Sequence, residues 1–147
     1  MSHVPRVLFL CTGNSCRSQM AEGWLRKMAG GRIEALSAGT APVGMNPGAV
    51  AAMEAHGVDI SGQRSEDIAA YTSDPPDLLI AVCDSAAESC PTLPGSTQVL
   101  RWPFPDPAHA TGSPEEIAAE FEQVCLAIRA RILDWLAEGA PPLSIGL

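Results

Sequence analysis

Short apolar runs alternate along this chain with longer segments whose apolar residues recur every three or four positions. The segments Val7–Leu10 and Asp77–Val82 are dominated by consecutive apolar residues. Such runs are typical of strands that a parallel sheet buries on both faces. Weaker patterns of the same kind predict further strands at Ile33–Ala38 and Thr97–Trp102.

Between these strands the period changes to that of a helix. Ser18–Met28 has apolar residues on one helical face and is followed by Gly30, which favours termination. Asn46-Pro47 is typical of a helix start, and Gly57 is expected to end that helix. A short helix is also predicted at Ser65–Tyr71.

The clearest element is the last helix. Ser113 is its predicted N-cap, Pro114 its first residue and Glu116 the partner in a capping box, and Gly139 is expected to end it. Its apolar face is predicted to consist of Ile117, Phe121, Val124, Leu126, Ile128, Ile132 and Trp135.

This alternation indicates an α/β fold, which we expect to be an open four-stranded parallel sheet flanked by helices on both faces. The 147 residues suit one domain spanning 1–147. In such sheets ligands bind in the loops at the carboxyl ends of the strands. Catalytic and ligand-binding residues are therefore expected in the loops that follow the strands.

Composition and charge disfavour several classes of partner and ligand. The net charge of −8 disfavours nucleic acid as a partner, because phosphate contacts need many basic residues. No apolar run approaches the ~20 residues of a membrane span, and no signal peptide is evident, so a cytoplasmic monomer without a membrane partner is expected. The cysteines lack the spacings typical of zinc sites, so no metal is expected on them.

The most informative segment follows the first strand. It reads Cys-Thr-Gly-Asn-Ser-Cys-Arg-Ser from Cys11 to Ser18 and leads directly into a helix. Backbone amides there are able to converge on an oxyanion, and Arg17 adds a planar charged fork. The same field favours the thiolate of Cys11, the nucleophilic form of a cysteine. The predicted oxyanion-binding residues are Thr12, Gly13, Asn14, Ser15, Cys16, Arg17 and Ser18.

Two other interpretations of this segment are weaker. A buried structural cysteine at a strand end fits poorly with the polar, turn-forming residues that follow Cys11. A nucleotide-binding phosphate loop would require a Gly-Lys-Ser/Thr ending, which is missing here. A catalytic Cys11 is therefore the favoured hypothesis.

These residues resemble the signature loop of the low-molecular-weight tyrosine phosphatase superfamily, and within it most closely the thioredoxin-coupled arsenate reductases. The likeness extends to Ser37–Thr40, to Asn46-Pro47, to the segment containing Cys83 and Cys90, and to Trp102–Pro107. It implies reduction of arsenate to arsenite for arsenic detoxification, with thioredoxin as the reductant.

The resemblance also gives Asp106 a role. From its residues alone, Asp106-Pro107 is an ordinary turn in a proline-rich segment. In the family an Asp-Pro at this place supplies the general acid, which here would protonate the leaving oxygen as Cys11 attacks.

Cys83 and Cys90 are the features that distinguish the two subfamilies. On an intact helix, seven residues span about 10.5 Å, whereas a disulfide needs Cα atoms within about 7 Å. Pairing them would require local unwinding, and the residues alone leave open that they are unrelated. The resemblance favours a relay through Cys11, Cys83 and Cys90, whereas phosphatases of this fold need no such pair.

The sequence also leaves two alternative functions open. The same loop would suit a tyrosine phosphatase acting through a cysteinyl-phosphate, or a non-catalytic oxyanion-binding module. No cofactor is expected to be required. Some related reductases bind potassium beside the loop, for which oxygens are offered here by Asn14, Glu22, Ser37 and Glu66.

Overall fold

The computed structural model describes residues 3–82 and 98–143. Its strands and helices are, in chain order, β1 (Arg6–Cys11), α1 (Arg17–Ala29), β2 (Glu34–Gly39), α2 (Pro47–Glu54), β3 (Leu78–Ala81), β4 (Gln98–Arg101) and α3 (Pro114–Ala137). Three 3-10 turns lie at Gly30–Arg32, Ile68–Tyr71 and Pro107–His109 within these ranges.

The four strands form one parallel sheet in the order β2-β1-β3-β4. The register places Cys11 opposite Gly39, and Leu10 opposite both Ala38 and Ala81. The carboxyl ends of β1, β2 and β3 therefore meet at one edge. The predicted fold class, an open four-stranded parallel sheet with helices, is confirmed.

Individual boundaries differ slightly from the prediction. The second strand lies one residue further along than Ile33–Ala38. The segment predicted as a helix at Ser65–Tyr71 forms only a 3-10 turn, at Ile68–Tyr71. Its start is fixed locally, because the Asp67 carboxylate accepts a hydrogen bond from the Ala69 amide.

The core lies on both faces of β1. Its residues 7–10 are fully buried, as expected for a central parallel strand. The helices α1, α2 and α3 pack against one another. On one face Phe9 and Trp135 both contact Trp102, with ring centroids 6.2 and 5.6 Å away.

Helix α3 begins as predicted. Ser113 Oγ accepts a hydrogen bond from the Glu116 amide at 3.1 Å, and the Glu116 carboxylate accepts one from the Ser113 amide at 3.0 Å. One residue of the predicted apolar face is wrong: Leu126 is exposed, whereas its neighbour Cys125 is buried. A 3.6-residue period places positions 121, 125, 128 and 132 in one stripe and turns 126 outward.

No helix in the described ranges has both the length and the hydrophobicity to span a bilayer.

Candidate active site

Cys11 ends β1 at the carboxyl edge of the sheet. It is almost completely buried, and its Sγ lies 2.8 Å from Ser18 Oγ in the first turn of α1. The Asn14 side-chain amide donates to the same Ser18 oxygen at 2.8 Å. Since Asn14 donates to that oxygen, the Ser18 hydroxyl proton can be directed to the sulfur of Cys11. A hydroxyl donor at this distance is the contact that a cysteine thiolate requires.

The loop between β1 and α1 has its backbone carbonyls turned outward. Each of the five oxygens accepts a hydrogen bond at 2.9–3.1 Å: Thr12 from the Ala41 amide, Gly13 from the Val43 amide, Asn14 from the Gln19 side chain, Ser15 from the Asn46 amide and Cys16 from the Met20 amide. Residues 41–46 therefore run along the loop and bind its outer side. We call this segment the strap.

The outward orientation of the loop carbonyls also determines the orientation of the loop's backbone amides. In a planar peptide the N–H points opposite to the C=O, so the amides of the loop face inward. Among residues 3–82 and 98–143, no hydrogen-bond acceptor is found for the amides of Gly13, Asn14, Ser15 and Cys16. Converging amides without an internal acceptor form a nest for an oxyanion, next to the N-terminus of α1.

Asn14 holds the loop in an uncommon conformation. Its φ of 46° lies in the left-handed region, which few residues other than glycine adopt readily. Its side chain is fixed at both ends, because Oδ1 accepts from the Glu66 amide at 2.7 Å and Nδ2 donates to Ser18. Asn14 is fully buried, so these bonds satisfy groups that water does not reach.

Arg17 connects the loop to the acidic residue predicted by the resemblance. Its guanidinium is buried, donates to the Phe104 carbonyl at 3.2 Å and lies 3.6 Å from the carboxylate of Asp106. Asp106 is partly exposed, and its other oxygen accepts from the Ala108 amide at 3.0 Å. The carboxylate is thus held beside the guanidinium and remains accessible to solvent.

Cys16 lies in the loop but is a poor nucleophile. Burial raises the pKa of its thiol to about 11, and the hydrogen bond with Ser15 offsets this only in part. Cys16 is therefore protonated at neutral pH. Its contribution to the loop is its backbone.

The structure thus brings together Cys11, the loop residues 12–18 and Asp106. Cys83 and Cys90, the other two predicted relay residues, lie outside the described residues. Helix α3 contains Cys125, whose thiol is fully buried and 3.5 Å from the sulfur of Met53.

Three of the four residues predicted to hold potassium, Glu22, Ser37 and Glu66, border a cavity of about 460 Å³ beside the loop. Ser37 donates to the Glu22 carboxylate at 2.6 Å, and the Arg26 guanidinium binds the other oxygen of Glu22. Asn14 Oδ1 is occupied by the Glu66 amide. Because a guanidinium already balances the charge of Glu22, these residues do not fit a potassium ion unless Arg26 moves away.

Sequence reasoning missed three supports of the loop. Gln19 donates to the carbonyls of Asn14 and Arg64. The strap binds the carbonyls of the loop. Gly39 lies so close that a Cβ there would be 2.5 Å from the Thr12 carbonyl oxygen. Two of these residues had a signal in the sequence, Gly39 as a glycine directly after a predicted strand and Asn46 as a predicted helix start, but neither signal indicated a contact with the loop.

Comparison with known proteins agrees with this geometry. Residues 6–140 match the family described as low molecular weight phosphotyrosine protein phosphatase. An arsenate reductase of Halalkalibacterium halodurans is 44% identical over 133 residues, which is 90% of this chain and 96% of that protein.

Two solved structures are similar over about nine tenths of this chain. One, described as an arsenate reductase in the phosphate binding state, has a TM-score of 0.73 and 31% identity over 91% of this chain and 98% of the other. A thioredoxin-dependent arsenate reductase of Corynebacterium glutamicum has a TM-score of 0.67 and 27% identity, covering 93% of this chain and 64% of that one. The extent of the family match, together with the loop between β1 and α1, establishes that the chain belongs to the low molecular weight phosphotyrosine protein phosphatase family.

Proposed function

We propose that this protein is an arsenate reductase that forms arsenite through a relay of three cysteines. The observation that carries the proposal is the nest of inward-facing amides around Cys11, closed by Arg17. An arsenate oxyanion fits such a nest by charge and by its tetrahedral shape. The identity to arsenate reductases over nearly the whole chain supports the choice of reaction.

In the first step the Cys11 thiolate attacks arsenic. An oxygen of arsenate leaves as water after accepting a proton from Asp106, and a sulfur–arsenic(V) bond forms. The amides of the loop and Arg17 neutralise the charge on the remaining oxygens. Before the attack, the Ser18 hydroxyl stabilises the Cys11 thiolate by donating a hydrogen bond to its sulfur, across the 2.8 Å that separates the two atoms in the structure.

In the second step the thiolate of Cys83 attacks the sulfur of Cys11. A Cys11–Cys83 disulfide forms, the sulfur–arsenic bond breaks, and its electron pair stays on arsenic, which leaves as arsenite. The thiolate of Cys90 then attacks Cys83, which returns Cys11 to its reduced form and produces a Cys83–Cys90 disulfide. Two electrons pass from two thiols to arsenic.

The final disulfide requires an external dithiol, for which we propose thioredoxin. The thioredoxin-dependent relative supports this choice. A thiol relay of this kind operates in a reducing compartment, so the proposal places the protein in the cytoplasm. It acts as a monomer without a nucleic-acid or membrane partner, and size-exclusion chromatography at working concentration tests the oligomeric state.

The experiment follows NADPH oxidation in the presence of thioredoxin, thioredoxin reductase and arsenate. Wild type is expected to turn over continuously and only when both arsenate and thioredoxin are present. Cys90→Ser is expected to stop after about one turnover with a Cys11–Cys83 disulfide, which peptide mass spectrometry detects. Ser89→Ala, a comparable change at the adjacent residue, is the control. Unimpaired steady-state turnover of Cys90→Ser would eliminate the relay.

Phosphate ester hydrolysis is the second candidate. Cys11, Arg17 and Asp106 are the groups that a cysteinyl-phosphate mechanism uses, and the family match is to phosphatases. The residues after Asp106-Pro107 are Ala108 and His109, which offer no tyrosine for an aryl substrate. Brisk hydrolysis of p-nitrophenyl phosphate without arsenate-dependent NADPH oxidation would make this the principal activity.

We also propose that no resident cofactor is required. Arg26 already supplies the positive charge beside Glu22 that a potassium ion would bring. Turnover is therefore expected to be equal in potassium and choline salts of the same ionic strength. Stimulation of several-fold by potassium would contradict this proposal and would support an ion held by Asn14, Glu22, Ser37 and Glu66.

A further inference from the structure

A second group of chemically active side chains lies away from the oxyanion loop, where helices α1, α2 and α3 meet. His56 follows α2, and Glu122 and Cys125 lie three residues apart on α3, a spacing that places them on one helical face. His56 Nε2 is 2.8 and 3.1 Å from the two oxygens of Glu122. The three potential ligand atoms lie within 4.8 Å of one another.

We propose that His56, Glu122 and Cys125 form a site for a divalent transition-metal ion of the Zn²⁺ type. This goes beyond the proposed function, because none of the three residues takes part in arsenate reduction. Imidazole nitrogen, carboxylate oxygen and thiolate sulfur are the donors that Zn²⁺ accepts, and three of them leave a fourth position for water.

The present distances are close to those that binding requires. Zn²⁺ lies about 2.0–2.2 Å from nitrogen and oxygen ligands, so in a tetrahedron these two ligands are about 3.3 Å apart. The observed nitrogen–oxygen separation of 2.8 Å needs to widen by only about half an ångström. A thiolate ligand at about 2.3 Å would be about 3.5 Å from the others, so Cys125 has to approach by no more than about 1.3 Å.

The layering of the three residues provides a route for the ion. The side chains of His56 and Glu122 are 24% and 43% exposed, whereas Cys125 is buried beneath them. An ion arriving from solvent meets the two outer ligands first. Binding of the ion displaces the proton of the Cys125 thiol, because the thiolate is the form of cysteine that ligates metal ions.

The surroundings favour a soft or borderline ion and explain why the sequence gives no zinc signal. The sulfur of Met53 is 3.5 Å from Cys125 Sγ, and the Trp24 indole donates to the Cys125 carbonyl. His56 precedes Glu122 by 66 residues, so no short spacing motif exists. The helices bring these donors together, as they do in bundle proteins with metal sites in the core.

The experiment titrates the reduced full-length protein with Zn²⁺ and separately with Co²⁺ as an absorbing substitute. His56→Gln and Glu122→Gln each remove one partly exposed ligand, while the thiols of the relay are unchanged. The difference between wild type and variant therefore isolates this site. Each substitution is expected to weaken Zn²⁺ binding at the site by at least about tenfold. Cys125→Ala is expected to remove the thiolate-to-cobalt absorption of this site.

Thermal unfolding provides an independent measurement and does not depend on activity. Zn²⁺ is expected to raise the melting temperature of wild type by more than that of His56→Gln, since binding at this site stabilises the folded state. Glu120→Gln, an exposed glutamate on α3 outside the cluster, is the control and should behave as wild type. Equal Zn²⁺ affinity, stoichiometry and thermal shift in wild type and in both Gln variants would overturn the proposal.

Discussion

Gly39 tests whether the oxyanion loop depends on close contact with the end of β2. Gly39 is the last residue of that strand and lies opposite Cys11 in the sheet. Its backbone is not in the left-handed region, so alanine is not excluded by conformation. The consequence of Gly39→Ala is therefore purely steric.

The size of the effect follows from the distances. An added Cβ would be 2.5 Å from the Thr12 oxygen and 2.9 Å from the Asn14 nitrogen. Because ordinary carbon–oxygen contacts begin near 3.4 Å, the Thr12 carbonyl must retreat by about 0.9 Å. That shift stretches its 2.9 Å bond from the Ala41 amide beyond hydrogen-bonding distance.

Two costs are expected from this displacement. Overpacking of about 1–3 kcal/mol and the loss of one hydrogen bond of about 1 kcal/mol reduce the free energy of unfolding by about 2–4 kcal/mol. A displacement approaching 1 Å in the nest lowers kcat/KM for arsenate by about 100-fold. Inorganic phosphate, which has the same shape and charge type as arsenate, should bind correspondingly more weakly.

The assays are urea unfolding, calorimetric titration with inorganic phosphate and single-turnover arsenite release, all performed well below the melting temperature. Gly31→Ala is the matched control, because nothing lies within 4 Å of a Cβ at Gly31. Phosphate affinity and arsenite release within twofold of wild type in folded Gly39→Ala would refute the reasoning. In that case the loop would tolerate displacement, and the geometry of its amides would not determine binding.

Three further predictions concern the loop and the last helix. Arg17→Lys should lower kcat/KM for arsenate in steady-state kinetics by about 100-fold or more, with little loss of stability. The reason is that a lysine ammonium does not replace the planar guanidinium, which contacts both the Phe104 carbonyl and the Asp106 carboxylate. Iodoacetamide at pH 7 should label Cys11 and spare Cys16, since a thiol with a pKa of about 11 is ionised in only about one molecule in ten thousand; peptide mapping reports both. Ser113→Ala should lower the free energy of unfolding by about 1 kcal/mol in urea without changing turnover, because it removes only the helix cap.

Much of the fold was predictable because its signals are local. The apolar runs at Val7–Leu10 and Asp77–Val82 became the two central strands, and the capping box at Ser113 formed as predicted. Leu126 was assigned to the wrong face because the hydrophobicity of one residue does not show which side of the helix its side chain lies on. The period of the buried residues around it gives that direction.

The site was predictable only in part, for a related reason. Cys11, Arg17 and the loop between them are contiguous, so their chemistry is visible in the sequence. The bonds from the Glu66 amide to Asn14 and from the strap to the carbonyls connect segments that are distant along the chain. Such contacts are determined by tertiary packing, and the residue types in those segments do not predict them.

The supports of the loop explain how a chain with a net charge of −8 can hold an oxyanion. Within the part of the chain that the structure describes, the guanidinium of Arg17 is the positive charge bonded beside the nest, and the Asp106 carboxylate next to it offsets part of that charge. The attraction must therefore come largely from oriented amide dipoles, which act at short range and only where the backbone is fixed. Because the outward carbonyl bonds fix it, Gly39→Ala should weaken binding as Arg17→Lys does, although Gly39 carries no charge.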